Sequence, residues 1–403
     1  MQTSFSLAQL ADPDIKEADA ILRRCVHCGF CTATCPTYLE LGNELDSPRG
    51  RIYLIKDMLE NDKPASSEVA LHIDRCLSCY ACMTTCPSGV DYMHLVDQAR
   101  VRIEKTYRRP LHDRIVRGLL AAILPYPARF RAALLAAKLG RPFAAILERF
   151  GQPGARLAAM LYLAATSRPA PRRSPPRLPP PSPGTGEAES ERSSEPGEGG
   201  AAGLDVRHPH LVADATRPRP SRERTEAARG RVALLTGCAQ SVLDPGINEA
   251  AIRLLNRFGI EVVLPAGEGC CGAIVHHMGR DDQGLALARH NIDVWTREIE
   301  GQGLDAILVT ASGCGTSVKD YGHAFRLQPG YAAKAARVSA LALDITEYLA
   351  RLDLPPAEQS AGMIVAYHSA CSMQHGQRVT VQPKMLLENA GFSVRDIPEG
   401  HIC

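Results

Sequence analysis

Apolar positions recur along this chain in two different rhythms, and each predicts a different kind of segment. Between residues 49 and 61 the apolar side chains are Ile52, Leu54, Ile55, Met58 and Leu59, a helical spacing. The preceding Asp46-Ser47-Pro48-Arg49-Gly50-Arg51 reads as a turn and helix start with Pro48 near the first helical position. A shorter helical stretch covers Val69 to Ile73. Residues 115–167 are rich in Leu and Ala, punctuated by Arg117, Arg129, Arg131, Lys138, Arg141, Arg149 and Arg156, as in amphipathic helices with basic faces. Such helices are expected to bury their apolar faces within the protein, with a membrane or a partner as the alternative. The rhythm changes at Val232-Ala233-Leu234-Leu235, an unbroken apolar run that reads as a buried strand. Further strands are expected at Ile260–Leu264, Ala306–Thr310 and Met363–Tyr367, with helices near 246–257, 281–300 and 379–390. Strands alternating with helices predict a mainly parallel sheet.

Between these halves the patterning stops. Residues 168–230 hold 12 of the 29 prolines, together with Ser, Gly, Glu and Arg and few large apolar side chains, so a disordered Pro-rich linker is expected there. The fold class is therefore mixed: an N-terminal α-helical module over 1–110, a helical segment over 111–167, the linker over 168–230, and a C-terminal α/β portion divided at about residue 355. A chain of 403 residues is long enough for such separable modules.

Composition narrows the function. A formal net charge of +2 and 5% aromatic residues give neither the field nor the stacking surface expected of a nucleic-acid binder. No stretch carries the roughly 18 apolar residues of a spanning helix. Met1 to Lys16 has acidic residues and no sustained apolar core, so it does not read as a secretory signal, and the reducing cytosol is the expected location. Peripheral contact with the inner face of the cytoplasmic membrane stays open through the basic helices of 115–167.

The 14 cysteines carry the chemistry. Eight fall in two copies of one spacing, Cys25-x2-Cys28-x2-Cys31-x3-Cys35-Pro36 and Cys76-x2-Cys79-x2-Cys82-x3-Cys86-Pro87, the ligand pattern of a pair of [4Fe-4S] clusters. Three closely spaced thiolates wrap one corner of a cubane, and the fourth comes from farther away. In such pairs the fourth cysteine crosses over. The expected ligand sets are Cys25, Cys28, Cys31 and Cys86 for one cluster, and Cys76, Cys79, Cys82 and Cys35 for the other. Zinc sites more often show cysteine pairs than such triplets. The motifs start 51 residues apart, and the helical segments between them point to a helical ferredoxin domain. Arg49 and Arg51 lie in that insertion, where facing a cluster, facing a partner and ordinary surface charge are all open readings.

A second cysteine system follows the linker. Cys238 to Cys270 and Cys371 to Cys403 are each separated by 32 positions, which marks an internal repeat. Cys270-Cys271-Gly272 and Cys314 belong to the first copy. The second copy stops at Cys403, so a complete chain is expected to continue with a second Cys-Gly and another cysteine near position 447. Cys238, Cys270, Cys271, Cys314 and Cys371 follow predicted strands, where open α/β sheets place their ligands. Together with Cys403 they are candidates for a third cluster, with structural or free thiols as the other reading. His276, His277, His368 and His375 lie near these motifs and read as hydrogen-bonding core histidines before ligands or proton carriers.

The paired motifs, the Cys-x31-Cys-Cys-Gly repeat and the stretches Cys25-Val-His-Cys-Gly-Phe-Cys-Thr-Ala-Thr-Cys-Pro-Thr-Tyr38, Ser47-Pro-Arg-Gly-Arg-Ile-Tyr-Leu-Ile-Lys56 and Thr310-Ala-Ser-Gly-Cys-Gly315 resemble the glycolate oxidase iron-sulfur subunit family. The cysteine motifs alone are similar to a wider group. It includes the anaerobic glycerol-3-phosphate dehydrogenase iron-sulfur subunit, lactate-utilisation proteins and heterodisulfide reductase subunits. The resemblance implies a non-substrate-binding oxidoreductase subunit that takes electrons from flavoprotein partners carrying FAD, which oxidise glycolate to glyoxylate, and passes them to a respiratory quinone or another acceptor. Ser317 departs from the wider pattern, standing where the second cysteine of a Cys-x-x-Cys would be, which counts against a heterodisulfide-reductase type of centre. No strand-Gly-x-Gly-x-x-Gly-helix signature and no acid/base constellation for a hydroxy acid is found, so substrate chemistry is expected to reside in the partner.

Overall fold

The computed structural model describes residues 1–166, 229–352, 354–356 and 362–402. The linker expected at 168–230 lies outside the described residues as far as 228, and Gly230 already opens the first strand.

The N-terminal module is helical. Its four principal helices are Pro13–Arg24, Pro48–Glu60, Ser67–Asp74 and Tyr92–Thr106. The start at Pro48 follows local chemistry: Ser47 adopts an extended conformation and its hydroxyl accepts from the Gly50 N–H, while Pro48 occupies a position whose missing N–H costs nothing. These helices pool Leu22, Ile55, Met58, Ile73, Leu95 and Ile103 into one core, and Cys25, Cys31, Cys76, Cys82 and Cys86 pack against its edge.

The C-terminal portion carries a four-stranded parallel sheet in the order β2-β1-β3-β4, formed by β1 (Gly230–Leu235), β2 (Ile260–Val263), β3 (Ala306–Val309) and β4 (Ala342–Asp344). Successive residues of a strand point to opposite faces, and both faces are covered. Ala233, Leu235, Ile307 and Val309 pack on one side with Trp295 and Ile292 of the helix Asp281–Gly301. Val232, Leu234, Ala306 and Leu308 pack on the other with Leu255 of the helix Gly246–Arg257. Burial on both faces explains why the central strands β1 and β3 read as unbroken apolar runs, while the edge strand β2 keeps an exposed Glu261. A separate parallel pair, β5 (Ile364–Tyr367) and β6 (Ser393–Asp396), flanks the helix Gln382–Asn389 and repeats the β1-helix-β2 arrangement.

Two strands escaped the sequence pattern. β4 is three residues long and continues the Ala-rich helix Pro329–Leu341 without a break in hydrophobicity, while β6 is short and largely exposed. The basic segment also departs from its expected packing. It forms the helices Leu111–Ile123, Pro127–Gly140 and Gly151–Thr166 with short turns between them, yet Leu111, Ile115, Leu119, Leu135 and Leu139 all remain exposed.

Candidate metal centres

Each four-cysteine motif begins with a loop that needs left-handed backbone. His27 (φ 58°) and Gly29 (φ 84°) flank Cys28, and Ser78 (φ 51°) and Tyr80 (φ 62°) flank Cys79 at the equivalent places. Three of these four are not glycine, a conformation that costs roughly 1–2 kcal/mol per residue and persists where surrounding structure enforces it. The matched dihedrals show that the two loops wrap alike. A 3-10 turn over Phe30–Thr32 then carries Cys31, and the short helix Ala81–Thr85 carries Cys82.

The structure brings together cysteines from both motifs. One cavity is bordered by Cys25, Cys28, Cys31 and Cys86, with Cys82 also reaching its wall. A second is bordered by Cys35, Cys76, Cys79 and Cys82. Cys28 is exposed at the mouth of the first, whereas Cys35 and Cys82 are buried. Burial, then the neighbouring Cys25, pushes the Cys31 thiol up to about 11, against the pull of the Arg49 backbone N–H. Burial and the crowding of Cys76 and Cys79 push Cys82 well above the ordinary thiol value. Four soft sulfur donors converging on an apolar cavity match the chemistry of an iron-sulfur centre.

The second cavity sits in a polar setting that the spacing did not reveal. Arg51 is fully buried, which removes the surface-charge reading: its guanidinium donates to the His72 carbonyl (2.8 Å) and to Thr37 Oγ1 (2.9 Å), and lies 3.8 Å from Cys35 Sγ. Asp46, also buried, accepts from His72 Nδ1 and Arg75, each at 2.8 Å. Although burial opposes it, these two donors hold the Asp46 carboxyl below the usual carboxylate range. Arg100 donates to Ser78 Oγ (2.7 Å) and the Cys76 carbonyl (2.9 Å), and the Tyr92 hydroxyl lies 3.8 Å from Cys76 Sγ. Arg49, by contrast, is partly exposed, pairs with Glu44 at 2.7 Å and covers Gly29 beside the first cavity.

At the C-terminal sheet, the parallel order puts all strand carboxyl ends on one edge. Cys238 follows β1, Cys270 and Cys271 follow β2, and Cys314 follows β3 on the helix Ser312–Lys319. Their side chains form a continuous row: Cys238 meets Cys270, Cys270 meets Cys271, and Cys271 meets Cys314. Hydrogen bonding to Cys270, with burial, drives the Cys238 thiol far up; Cys270 rises to about 12 because Cys271 and burial outweigh the opposing contact from Cys238. Gly272 (φ 88°) lets the chain turn against the helix Asp281–Gly301, where a side chain would lie 2.6 Å from the Gly284 carbonyl. Cys371 lies just before a single π-turn over Ser372–Gly376 that packs on the helix bearing Cys314 through Ser372 and Ser312 (2.8 Å). Cys403 lies outside the described residues.

Three of the four histidines near these motifs join the two modules. His276 and His277 approach the buried Asp97 at 3.5 and 3.3 Å, and together they hold its carboxyl well below the ordinary range against the cost of burial. His375 bridges Thr84 Oγ1 (2.7 Å) and the His401 carbonyl (2.9 Å), while His368 is exposed, 3.4 Å from the Ile402 carbonyl. Two further histidines were not anticipated: His94 spans Asp91 and Asp320, and His323, stacked on it at 3.5 Å, reaches Glu17. Tyr80 borders both the second cysteine cavity and an intermodule cleft lined by Cys271, Asp97, His276 and Ser317. Only its left-handed φ and its place beside Cys79 hint at this.

Comparison with known proteins agrees with both halves. The 4Fe-4S dicluster domain matches residues 21–90, and the Cysteine-rich domain matches residues 232–319. The chain is 40% identical to the glycolate oxidase iron-sulfur subunit of Escherichia coli (strain K12) over 100% of its own length and 84% of that protein. It is 28% identical to the probable glycolate oxidase iron-sulfur subunit of Bacillus subtilis (strain 168), over 95% of this chain and 78% of that one. Lactate utilization protein A 1 of Bacillus cereus (strain AH820) is 25% identical over 43% of this chain and 71% of its own. No solved structure matches. Because one relative aligns along the whole chain at that identity, through both cysteine systems, the chain belongs to the glycolate oxidase iron-sulfur subunit family and is an iron-sulfur subunit of the electron-transfer type.

Proposed function

We propose that this chain is the electron-transfer subunit of a glycolate-oxidising complex at the cytoplasmic side of the membrane, standing between FAD-bearing partner subunits that convert glycolate to glyoxylate and a respiratory quinone or another acceptor. Cys25, Cys28, Cys31 and Cys86 hold one [4Fe-4S] cluster, and Cys76, Cys79, Cys82 and Cys35 hold the other. When bound, such clusters accept and release single electrons. The observation that carries this reading is the pair of cavities, each bordered by three cysteines of one motif and the fourth of the other. The chain's own part is to hold the thiolates, to exclude water from Cys35 and Cys82, and to set Arg51, Arg100 and the Tyr92 hydroxyl beside the second group of sulfurs. Binding iron at sulfurs as basic as Cys31 and Cys82 releases their protons.

The contiguous row Cys238–Cys270–Cys271–Cys314 favours a further redox centre at the sheet edge, a third cluster or a dithiol pair. Tyr80, which borders both regions, supports exchange between that centre and the second cavity. After anaerobic reconstitution we expect about eight irons per chain from the two motifs, about twelve if the cysteine row also holds a cluster, and reduced-state EPR from two interacting centres. The isolated loaded chain should not oxidise glycolate with an artificial dye; turnover without a flavoprotein would sink the proposal.

A further inference from the structure

Residues 108–150 hold nine Lys or Arg and two acidic residues, a net charge of +7 in a chain whose total is +2. The same segment leaves large apolar side chains in water. Leu111, Ile115 and Leu119 make one stripe at 70, 53 and 50% exposure along the helix Leu111–Ile123, and Leu135 and Leu139 make another at 61 and 80%. Phe143 and Phe150 extend the patch at its far end. At 100° per residue, Arg114 falls within about 60° of the first stripe, and Arg131 and Lys138 within about 60° of Leu135, so cations border the apolar strips. Arg109 and Arg117 are already engaged with Asp74 and Glu104 and tie the segment to the N-terminal module. Arg114, Arg129, Arg141 and Arg149 remain at the surface.

Exposed apolar stripes rimmed by long basic side chains, with almost no acidic residues, have the composition of helices that lie in a bilayer interface. The centre of a protein-protein interface is instead depleted of charge, and a cationic rim of this size would need an acidic partner surface. We propose that the helices of residues 111–150 are a lipid-docking surface, which seats this subunit on an anionic bilayer with the leucine stripes at the acyl boundary and the arginines among the phosphates. The proposal deepens the electron-transfer reading, since it brings the chain to a lipid-soluble acceptor, but its physical basis does not depend on the clusters.

The test uses the full chain with clusters assembled, floated with vesicles of pure phosphatidylcholine or of phosphatidylcholine with about 30% phosphatidylglycerol. Binding is expected to the anionic vesicles and to weaken with salt. Leu135→Glu with Leu139→Glu should weaken it by about tenfold or more. Neutralising Arg114 and Arg129 should cost about fivefold each. Iron content and EPR should be unchanged in all variants, which separates failure of this proposal from failure of the cluster assignment. In the unaltered chain, hydrogen exchange over residues 111–150 should slow on anionic vesicles. Equal binding to both vesicle types, no protection of that segment, or substitutions that spare vesicle binding and release the flavoprotein subunits instead would overturn it.

Discussion

Arg51 carries its buried guanidinium to within 3.8 Å of the Cys35 sulfur, so a full positive charge is held against the wall of the second cysteine cavity. Asp46, 3.6 Å away and equally buried, balances it, and the pair makes sense only as a unit. Removing one member of a buried ion pair typically costs 3–5 kcal/mol, because the other is left uncompensated. Asp46 keeps His72 and Arg75, so Arg51→Met is expected to cost about 3 kcal/mol. Urea denaturation of the iron-loaded chain measures it, and Arg51→Lys should not restore the loss because it lacks the planar fork.

Cysteine exchange between the motifs makes an asymmetric prediction. Cys86→Ser, although in the second motif, should damage the centre bordered by Cys25, Cys28 and Cys31; Cys35→Ser should damage the one bordered by Cys76, Cys79 and Cys82. Each variant should retain about four irons with one of the two EPR signals. If each substitution instead damages the centre of its own motif, the crossed assignment is wrong.

Gly279 packs directly against the helix Tyr92–Thr106. Its φ is +78°, and a Cβ there would lie 2.2 Å from the Arg100 carbonyl oxygen. Gly279→Ala should therefore pry the modules apart while each stays folded. Small-angle scattering should show a larger radius of gyration at unchanged iron content.

The same contact should respond to pH. Despite burial, Asp320 and Asp91 raise the pKa of His94 from 6.5 to about 10, and Asp281 and Asp97 raise that of His276 likewise. A histidine whose folded pKa is raised contributes stability that is complete below the unfolded value and lost as pH climbs through the folded one. Protease resistance between the modules should accordingly decline from about pH 7 to pH 10, and His94→Gln with His276→Gln should flatten that decline.

Glu268 gives the opposite kind of carboxylate. Burial raises its pKa from 4.5 to about 7, although the Thr236 N–H, the Trp295 indole and the Thr236 hydroxyl all favour the ionised form. The folded chain therefore binds this proton more tightly than the unfolded one. Its contribution should fade as pH rises from 4.5 through 7, by at most about 3 kcal/mol. A flatter stability profile across that range in Glu268→Gln would be the sign of it.

Much of this protein was legible in its residues. The two motifs, with Pro36 and Pro87 closing them, announced an iron-sulfur domain, because ligand spacing is a local property of the chain. Val232–Leu235 and Ala306–Thr310 announced buried parallel strands, because burial on both faces removes the polar alternation. The helices at 246–257 and 281–300 emerged within a residue of expectation, since their periodicity is long enough to be unambiguous. β4 was missed because it continues the Ala-rich helix Pro329–Leu341 without a break in hydrophobicity, and β6 because it is short and largely exposed and so shows no buried apolar run.

What tertiary structure alone decided is which distant groups share a site. Nothing in the spacing says that Arg51 turns inward to Cys35, that Arg100 reaches the Cys76 carbonyl, or that His276 and His277 face Asp97 from another module. Charged side chains are placed by the free energy of desolvating them against partners far away in sequence, and that balance exists only once the chain has folded. The exposed leucines of 111–139 make the same point in reverse: their periodicity specified an amphipathic helix, but only the packing of the whole chain could leave that face uncovered.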